Sequence, residues 1–214
     1  GGMISDCRIR GTTNATAAVV SRDSSAHTNW LFNCRIVSNH CTGVQLSHHV
    51  CLRNCLIADN RTTAAYAYYP GGIYVIKDAV GGVVESCTVA GNNGDYGGMR
   101  IRADTYQVVN TVIAGNTGPL ADDMLVSSLN ATNQFFHSCC PTFSLPAANA
   151  NLQQDPRFAD AGAGNYRLGN GSPCLQAGMN QPWMAAATDL EGRRRIDSVV
   201  GTVDLGCYEY PLGG

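Results

Sequence analysis

The seven residues "NCRIVSN" (33–39) decide the fold, because close variants of them return along the chain. The variants read "NCLIADN" (54–60), "SCTVAGN" (86–92) and "NTVIAGN" (110–116). The register inside each phrase is constant, whereas the intervals between phrases vary from 21 to 32 residues. Strands stacked in a fixed register and joined by loops of free length produce this pattern, so the sequence predicts a solenoid.

A column of small residues defines the register of the repeat. Its members are Cys7, Cys34, Cys55, Cys87, Thr111 and Cys139. Cysteine is compact and buries like a small hydrophobe, so we expect the column to line a narrow lumen. The spacing has no CxxC pairs, and no metal site is expected. Five residues after the column come Asn39, Asn60, Asn92 and Asn116, which we expect at a left-handed turn with their amides bonded from coil to coil.

Two further strands belong to each repeat. Segments 42–49, 71–78 and 97–104 alternate apolar and polar residues with period two, and short apolar runs such as 29–32 and 50–53 precede the column. Three short strands per repeat predict an all-β fold, a right-handed parallel β-helix of about six coils with an irregular C-terminal cap.

The repeat divides the chain into two parts. Residues 1–140 are expected to form the coils, and residues 141–214 a final coil and a capping segment that covers the exposed strand edge. The opening "GGMISDC" (1–7) reads as the middle of a repeat, which indicates an N-terminally truncated fragment whose upstream part is one of its partners. Of the cysteines outside the column, Cys174 could pair with Cys207 or with Cys140 in a disulfide.

Composition excludes several kinds of partner. The net charge is −2 and only 14% of residues are charged, so neither nucleic acid nor an anionic membrane is an expected partner. No run of eighteen apolar residues is present, so no membrane span is predicted.

The C-terminal segments 155–178 and 189–210 carry a family resemblance. Their "DPRF", "YRL", "GSP", "DLEG" and "VDLGCYE" phrases resemble the closing region of bacterial secreted right-handed β-helix proteins with a choice-of-anchor Q domain. The resemblance implies export to the medium or the cell surface and says little about chemistry. Within these segments we expect Asp189, Arg195, Asp204 and Glu209 to form a structural ion-pair set.

One flank of the solenoid could carry chemistry. Stacking the outward positions of the second strand places Val19, Gln45, Tyr74, Arg100 and Leu125 in one column. The charged residues nearby are Arg22, His48, Lys77, Asp78, Arg102 and Asp104.

A polysaccharide lyase could use this flank. Lys77 would be the base, Arg100 or Arg102 would neutralise a uronate carboxylate, and Asp78 with Asp104 would hold the one cofactor considered, Ca²⁺. A glycoside hydrolase would instead use Asp78 and Asp104 as its two carboxylates. Outward charges on a solenoid more often pair across coils and solvate the strand, which leaves a structural role open.

Tyrosines in the longest interval suggest a ligand. Tyr66, Tyr68 and Tyr69 lie in one loop beside Tyr74, where they could stack on sugar rings or fold back over the solenoid. With His48 and Arg22 they complete the predicted ligand-binding set. The sequence therefore predicts a secreted or cell-surface β-helix that presents a rigid face to a polysaccharide or cell-surface glycan, as an adhesin would. A lyase or glycosidase and a structural spacer are the alternatives.

Overall fold

The fold was analysed in a computed structural model. It describes residues 2–13, 15–21, 27–62, 68–77, 79–127, 129–196 and 199–211.

Short strands account for nearly all of the regular structure. They are β1 (Met3–Ser5), β2 (Arg8–Ile9), β3 (Ala17–Val20), β4 (Asn29–Phe32), β5 (Arg35–Val37), β6 (Thr42–Leu46), β7 (Val50–Arg53), β8 (Leu56–Ala58), β9 (Ile73–Val75), β10 (Val83–Glu85), β11 (Thr88–Ala90), β12 (Met99–Ile101), β13 (Gln107–Val109), β14 (Val112–Ala114), β15 (Met124–Val126), β16 (Phe135–Phe136), β17 (Phe158–Asp160) and β18 (Asn165–Leu168). The helices are α1 (Leu129–Thr132) and the 3₁₀ turns Ala147–Asn149, Ala161–Ala163 and Pro182–Ala185.

Among the described residues, β1 to β16 form three parallel sheets. The first sheet has the order β1-β4-β7-β10-β13-β16, the second β2-β5-β8-β11-β14, and the third β3-β6-β9-β12-β15. Every third strand along the chain is therefore a hydrogen-bonded neighbour, which is the topology of a parallel β-helix. The predicted fold class is confirmed; its handedness and number of coils stay predictions.

The predicted cysteine column lines the lumen. Cys34, Cys55 and Cys87 are fully buried, and each thiol donates to the carbonyl two residues earlier at 3.2 Å. Burial raises the pKa of the Cys55 thiol well above its ordinary value, so the thiol stays neutral. These cysteines act as small buried residues.

The last member of that column was predicted wrongly. Val109 pairs with Phe136, so the next coil is offset by 27 residues and Thr111 aligns with Ser138. Ser138 Oγ accepts the Thr111 backbone N–H at 3.3 Å, while Cys139 pairs with Val112 on the second sheet. The adjacent small residues Ser138 and Cys139 offer two registers one residue apart, and the strand pairing selects Ser138.

The asparagines form the expected ladder. The amide Nδ2 of Asn39 donates to Asn60 Oδ1 at 2.8 Å, Asn60 donates to Asn92 at 2.9 Å, and Asn92 donates to Asn116 at 2.9 Å. Asn116 donates at 3.1 Å to the carboxylate of Asp123, which is buried. A ladder of amides that all donate in one direction requires an acceptor at its end, and a carboxylate meets that need.

The left-handed backbone lies one residue before these asparagines, which corrects the prediction. Ser38 has φ 55°, Asp59 has φ 56°, and Gly91 and Gly115 have φ 64° and 70°. The ladder asparagines themselves do not adopt positive φ. Their side chains are free to point into the interior because the residue before each one makes the turn.

The C-terminal segment runs along the side of the solenoid. Tyr166 of β18 and Tyr208 pack with Val37 and Leu56 on the outer face of the second sheet. At the end of the coils, Leu145 instead belongs to the lumen cluster. The segment therefore adds an outer layer as well as closing an end, and the domain boundary at residues 140 and 141 stays a prediction.

All ten cysteines lie in the described part of the chain, and all are free thiols. The two disulfides considered for Cys174 are therefore absent from this structure. Cys174 and Cys207 are each buried, but they belong to separate apolar clusters between the C-terminal segment and the second sheet.

Of the four residues predicted to form an ion-pair set, Arg195 and Glu209 pair with each other, and Asp189 and Asp204 bind backbone N–H groups instead. Arg195 is fully buried and its Nη2 lies 3.2 Å from Glu209 Oε1. Asp189 accepts the Glu209 N–H at 2.9 Å, and Asp204 accepts the N–H groups of Gln176 and Tyr210, each at 2.7 Å. Burial raises the pKa of Glu209 to about 8, with Asp204 and Asp189 adding to the rise and Arg195 opposing it.

Candidate functional site

The outer face of the third sheet brings together much of the predicted flank. Gln45, Tyr74, Arg100 and Leu125 pair in register from coil to coil. The assignment of Val19 to this column was wrong, because Val19 pairs with Val44 and the first coil is shifted by one residue.

Arg100 lies in an aromatic clamp. Its guanidinium carbon is 4.6 Å from the ring centroid of Tyr96 and 5.7 Å from that of Tyr74, and both rings are nearly buried. Nη1 donates to the Tyr68 carbonyl at 2.6 Å, and Nε is buried with no hydrogen-bond partner among the described residues. Stacking and one fixed hydrogen bond hold the guanidinium in place while the side chain stays partly exposed.

Arg102 and two further tyrosines extend the clamp. Arg102 Nη1 donates to the Tyr74 hydroxyl at 3.0 Å, and the Tyr69 ring meets Tyr74 edge-on at 5.0 Å. Tyr68 is 59% exposed, and its backbone N–H donates to the Asp95 carboxylate. We call this surface the tyrosine–arginine face. It comprises Tyr68, Tyr69, Tyr74, Tyr96, Arg100 and Arg102.

The structure settles the two alternatives for the tyrosine loop only in part. Tyr69 folds back onto Tyr74, whereas Tyr68 is directed to solvent. Tyr66 lies outside the described residues, and its role stays a prediction. Sequence reasoning missed Tyr96, although it stands in a glycine-rich turn directly before β12.

The other predicted charged groups lie in the turns that follow strands of the third sheet. Lys77 is exposed in the turn after β9 and has no ion pair or hydrogen bond with another described residue. Arg102 N–H donates to Val75 carbonyl at 3.1 Å, which aligns Arg102 with Ile76 and places Lys77 one residue further along the neighbouring coil. Asp104 is exposed, and His48 is half-buried in the turn after β6.

Two charged members of the predicted site, Arg22 and Asp78, lie outside the described residues. Within the described ranges no group of three or more His, Cys, Asp or Glu side chains is arranged to hold a metal ion. The Ca²⁺ pair of Asp78 with Asp104, like the two-carboxylate hydrolase arrangement, therefore stays a prediction.

A second surface, on the first sheet, was not predicted. Arg53, Glu85, Val109 and Phe136 stack there as outward residues of successive coils. The 3₁₀ turn Pro182–Ala185 crosses beside them and, with these strands, encloses an open groove of about 720 Å³. We call it the tryptophan groove. It is lined by Arg53, Glu85, Gln107, Val109, Phe136 and Trp183, among others.

Trp183 is fixed in this groove by three contacts. Its Nε1 donates to Glu85 Oε1 at 2.9 Å, and its ring meets Phe32 edge-on at 6.0 Å. The Arg53 guanidinium lies between Trp183 and Trp30, 4.7 and 4.5 Å from their ring centroids. Arg53 Nε in turn donates to Glu85 Oε2 at 2.8 Å.

Sequence reasoning missed the groove because its parts are distant in the chain. Glu85 and Trp183 are 98 residues apart. The sequence prediction aligned outward residues of the second strand of each repeat, whereas Arg53, Glu85 and Val109 belong to the strand before the cysteine column. The signal that could have found it is the pair of tryptophans, the only two in the chain. Both contact Arg53.

Comparison with solved structures supports the class of fold. The chain superposes on the crystal structure of pectate lyase Pel9A with a TM-score of 0.51 and 12% sequence identity, over 98% of this chain and 65% of that one. At this identity the likeness shows a shared parallel β-helix and nothing about activity. The chain spans less than two thirds of the length of the pectate lyase.

No family model and no curated protein sequence matches the chain. The resemblance to choice-of-anchor Q proteins therefore stays a prediction. No helix within the described residues is long and apolar enough to cross a membrane.

Proposed function

We propose that this protein is a secreted or cell-surface β-helix that binds an acidic polysaccharide on its tyrosine–arginine face. The observation that carries the proposal is the aromatic clamp on Arg100, which fixes a cation on the outer face of a rigid sheet.

A fixed guanidinium suits a uronate carboxylate. Its planar fork binds a carboxylate through two parallel hydrogen bonds, and a side chain already held by two rings loses little conformational entropy on binding. Arg102 lies beside Arg100 on the same face and adds a second positive charge. The exposed ring of Tyr68 offers a flat apolar surface to a neighbouring sugar.

Besides the guanidinium and the aromatic ring, a polysaccharide site needs a long straight surface, and the fold supplies one. Stacked strands repeat about every 4.8 Å, so successive coils present side chains in a row along which an extended polymer can lie. The fold is also shared with pectate lyase Pel9A, whose name describes action on a polysaccharide.

Binding by isothermal titration calorimetry tests the proposal. Oligogalacturonate and oligomannuronate serve as acidic probes. Arg100→Ala should weaken binding by about tenfold or more, because a charge-assisted hydrogen bond contributes roughly 1.5–3 kcal/mol. Arg194→Ala removes an exposed arginine from the C-terminal segment, outside this face, and should change affinity by less than about twofold.

Equal effects of the two arginine variants, or no binding of either acidic probe, would refute the proposal. Product analysis after incubation with the same probes separates the alternatives. A lyase would release an unsaturated product that absorbs in the ultraviolet, and Lys77→Ala would abolish the release. A glycosidase would release reducing ends without that absorbance, and a spacer would neither bind nor cleave.

A further inference from the structure

We infer that the tryptophan groove is a second saccharide site, distinct from the tyrosine–arginine face, and that it takes a neutral oligosaccharide. The two surfaces lie on different sheets, the groove on the first and the face on the third. The inference rests on the shape, the aromatic surface and the charge of the groove, and does not depend on the proposed function.

The shape of the groove fits a short polymer segment. Its volume of about 720 Å³ lies within the range of small-ligand sites, roughly 300–1,000 Å³. Stacked strands form its floor, and the 3₁₀ turn that contains Trp183 forms one wall. The groove is open to solvent. An open groove admits a chain that continues at both ends, which a closed cavity excludes.

The aromatic surface is held rigidly. Trp183 is fixed by its hydrogen bond to Glu85 and by its edge-on contact with the Phe32 ring. The Trp183 side chain is partly exposed and lines the groove. Phe136 and Val109 continue the apolar surface along the floor. A rigid aromatic ring binds the apolar face of a pyranose with little loss of conformational entropy.

Charge selects a neutral ligand. Arg53 and Glu85 neutralise each other at 2.8 Å, and the other residues that line the groove are uncharged. A uronate carboxylate would enter without a free cation to pair with and would face the Glu85 carboxylate. Burying an unpaired charge is costly, whereas hydroxyl groups are readily satisfied by neutral hydrogen-bonding groups.

Gln107 supplies such a group. It is an exposed outward residue at the start of β13, and its carboxamide makes no hydrogen bond within the described part of the chain. A carboxamide both donates and accepts, which matches the two roles of a sugar hydroxyl. Because the side chain has no internal partner, its removal tests binding without disturbing the fold.

Tryptophan fluorescence reports on this site alone, because both tryptophans of the chain stack on Arg53 in or beside the groove. Hexasaccharides of β-1,4-linked glucose, mannose, xylose and galactose serve as neutral probes, and hexagalacturonate serves as the acidic one. At least one neutral probe should give a saturable change in emission, and hexagalacturonate should not compete with it.

Three variants complete the experiment. Gln107→Ala should weaken the neutral probe about threefold to tenfold, the effect of one lost hydrogen bond. Gln153→Ala, at an exposed glutamine outside the groove, should leave its affinity unchanged. Arg100→Ala should also leave it unchanged, which separates this site from the tyrosine–arginine face.

The inference is overturned if none of the four neutral probes alters the emission at millimolar concentration. It is equally overturned if Gln107→Ala and Gln153→Ala behave alike, or if Arg100→Ala abolishes the signal. Failure of acidic binding in the calorimetric experiment would refute the proposed function and leave this inference standing.

Discussion

Replacement of Asn92 by alanine tests the physical basis of the solenoid. The Asn92 side chain is fully buried and takes part in four hydrogen bonds. Its Nδ2 donates to Asn116 Oδ1 and to the Ile57 carbonyl, each at 2.9 Å. Its Oδ1 accepts the backbone N–H of Asn60 at 3.0 Å and the Asn60 amide at 2.9 Å.

The magnitude follows from these bonds. Each buried hydrogen bond contributes about 0.5–1.5 kcal/mol, and alanine leaves the partners of Asn92 buried and only partly satisfied. Some partners keep another bond, for example Asn60 Nδ2 to the Ile36 carbonyl at 2.9 Å, so the losses do not simply add. We expect Asn92→Ala to lower the free energy of unfolding by about 3–4 kcal/mol.

The adjacent asparagine is a matched control. Asn93 donates to Thr117 Oγ1 at 2.9 Å in an exposed setting, so Asn93→Ala should cost less than about 1 kcal/mol. Urea denaturation followed by circular dichroism gives both values from the shift in midpoint at a common slope. Equal destabilisation by the two variants would refute the ladder as a source of stability.

Two further results are expected. The pKa of Glu209 is raised from 4.5 to about 8 by burial, so the folded state binds a proton that the unfolded state has released. The stability gained from this bound proton is complete below pH 4.5 and is lost as the pH rises to 8. The free energy of unfolding should therefore fall by up to about 3 kcal/mol between pH 5 and 8. Urea midpoints across this range check the fall, and an equal fall in Glu209→Gln would assign it to other groups. Among the ten described cysteines only Cys7 is exposed, so a thiol reagent should modify one group quickly in the native protein and all ten in denaturant. Rapid modification of several thiols in the native state would contradict the buried column.

The sequence alone was enough to predict the repeat. The cysteine column and the asparagines five residues later predicted stacked coils, because identical positions of a parallel solenoid lie directly above one another. The tyrosine–arginine face was partly predictable for the same reason, since Tyr74 and Arg100 occupy equivalent positions of neighbouring coils.

Where two strand registers fit the sequence equally well, the predicted register was wrong. Cys139 was placed in the lumen although Ser138 lies there, because a one-residue shift changes the face of a strand while leaving its composition almost unaltered. Only the pairing of Val109 with Phe136 distinguishes the two registers.

In the central coils local periodicity determined which residues face the lumen, since that choice depends on neighbours one or two positions away. The position of the C-terminal segment is different. Its hydrogen bonds to the coils include pairs from 69 to 155 positions apart, and no repeat relates them. The tryptophan groove exists only because the tertiary structure lays that segment beside the first sheet, where packing between distant elements decides the outcome.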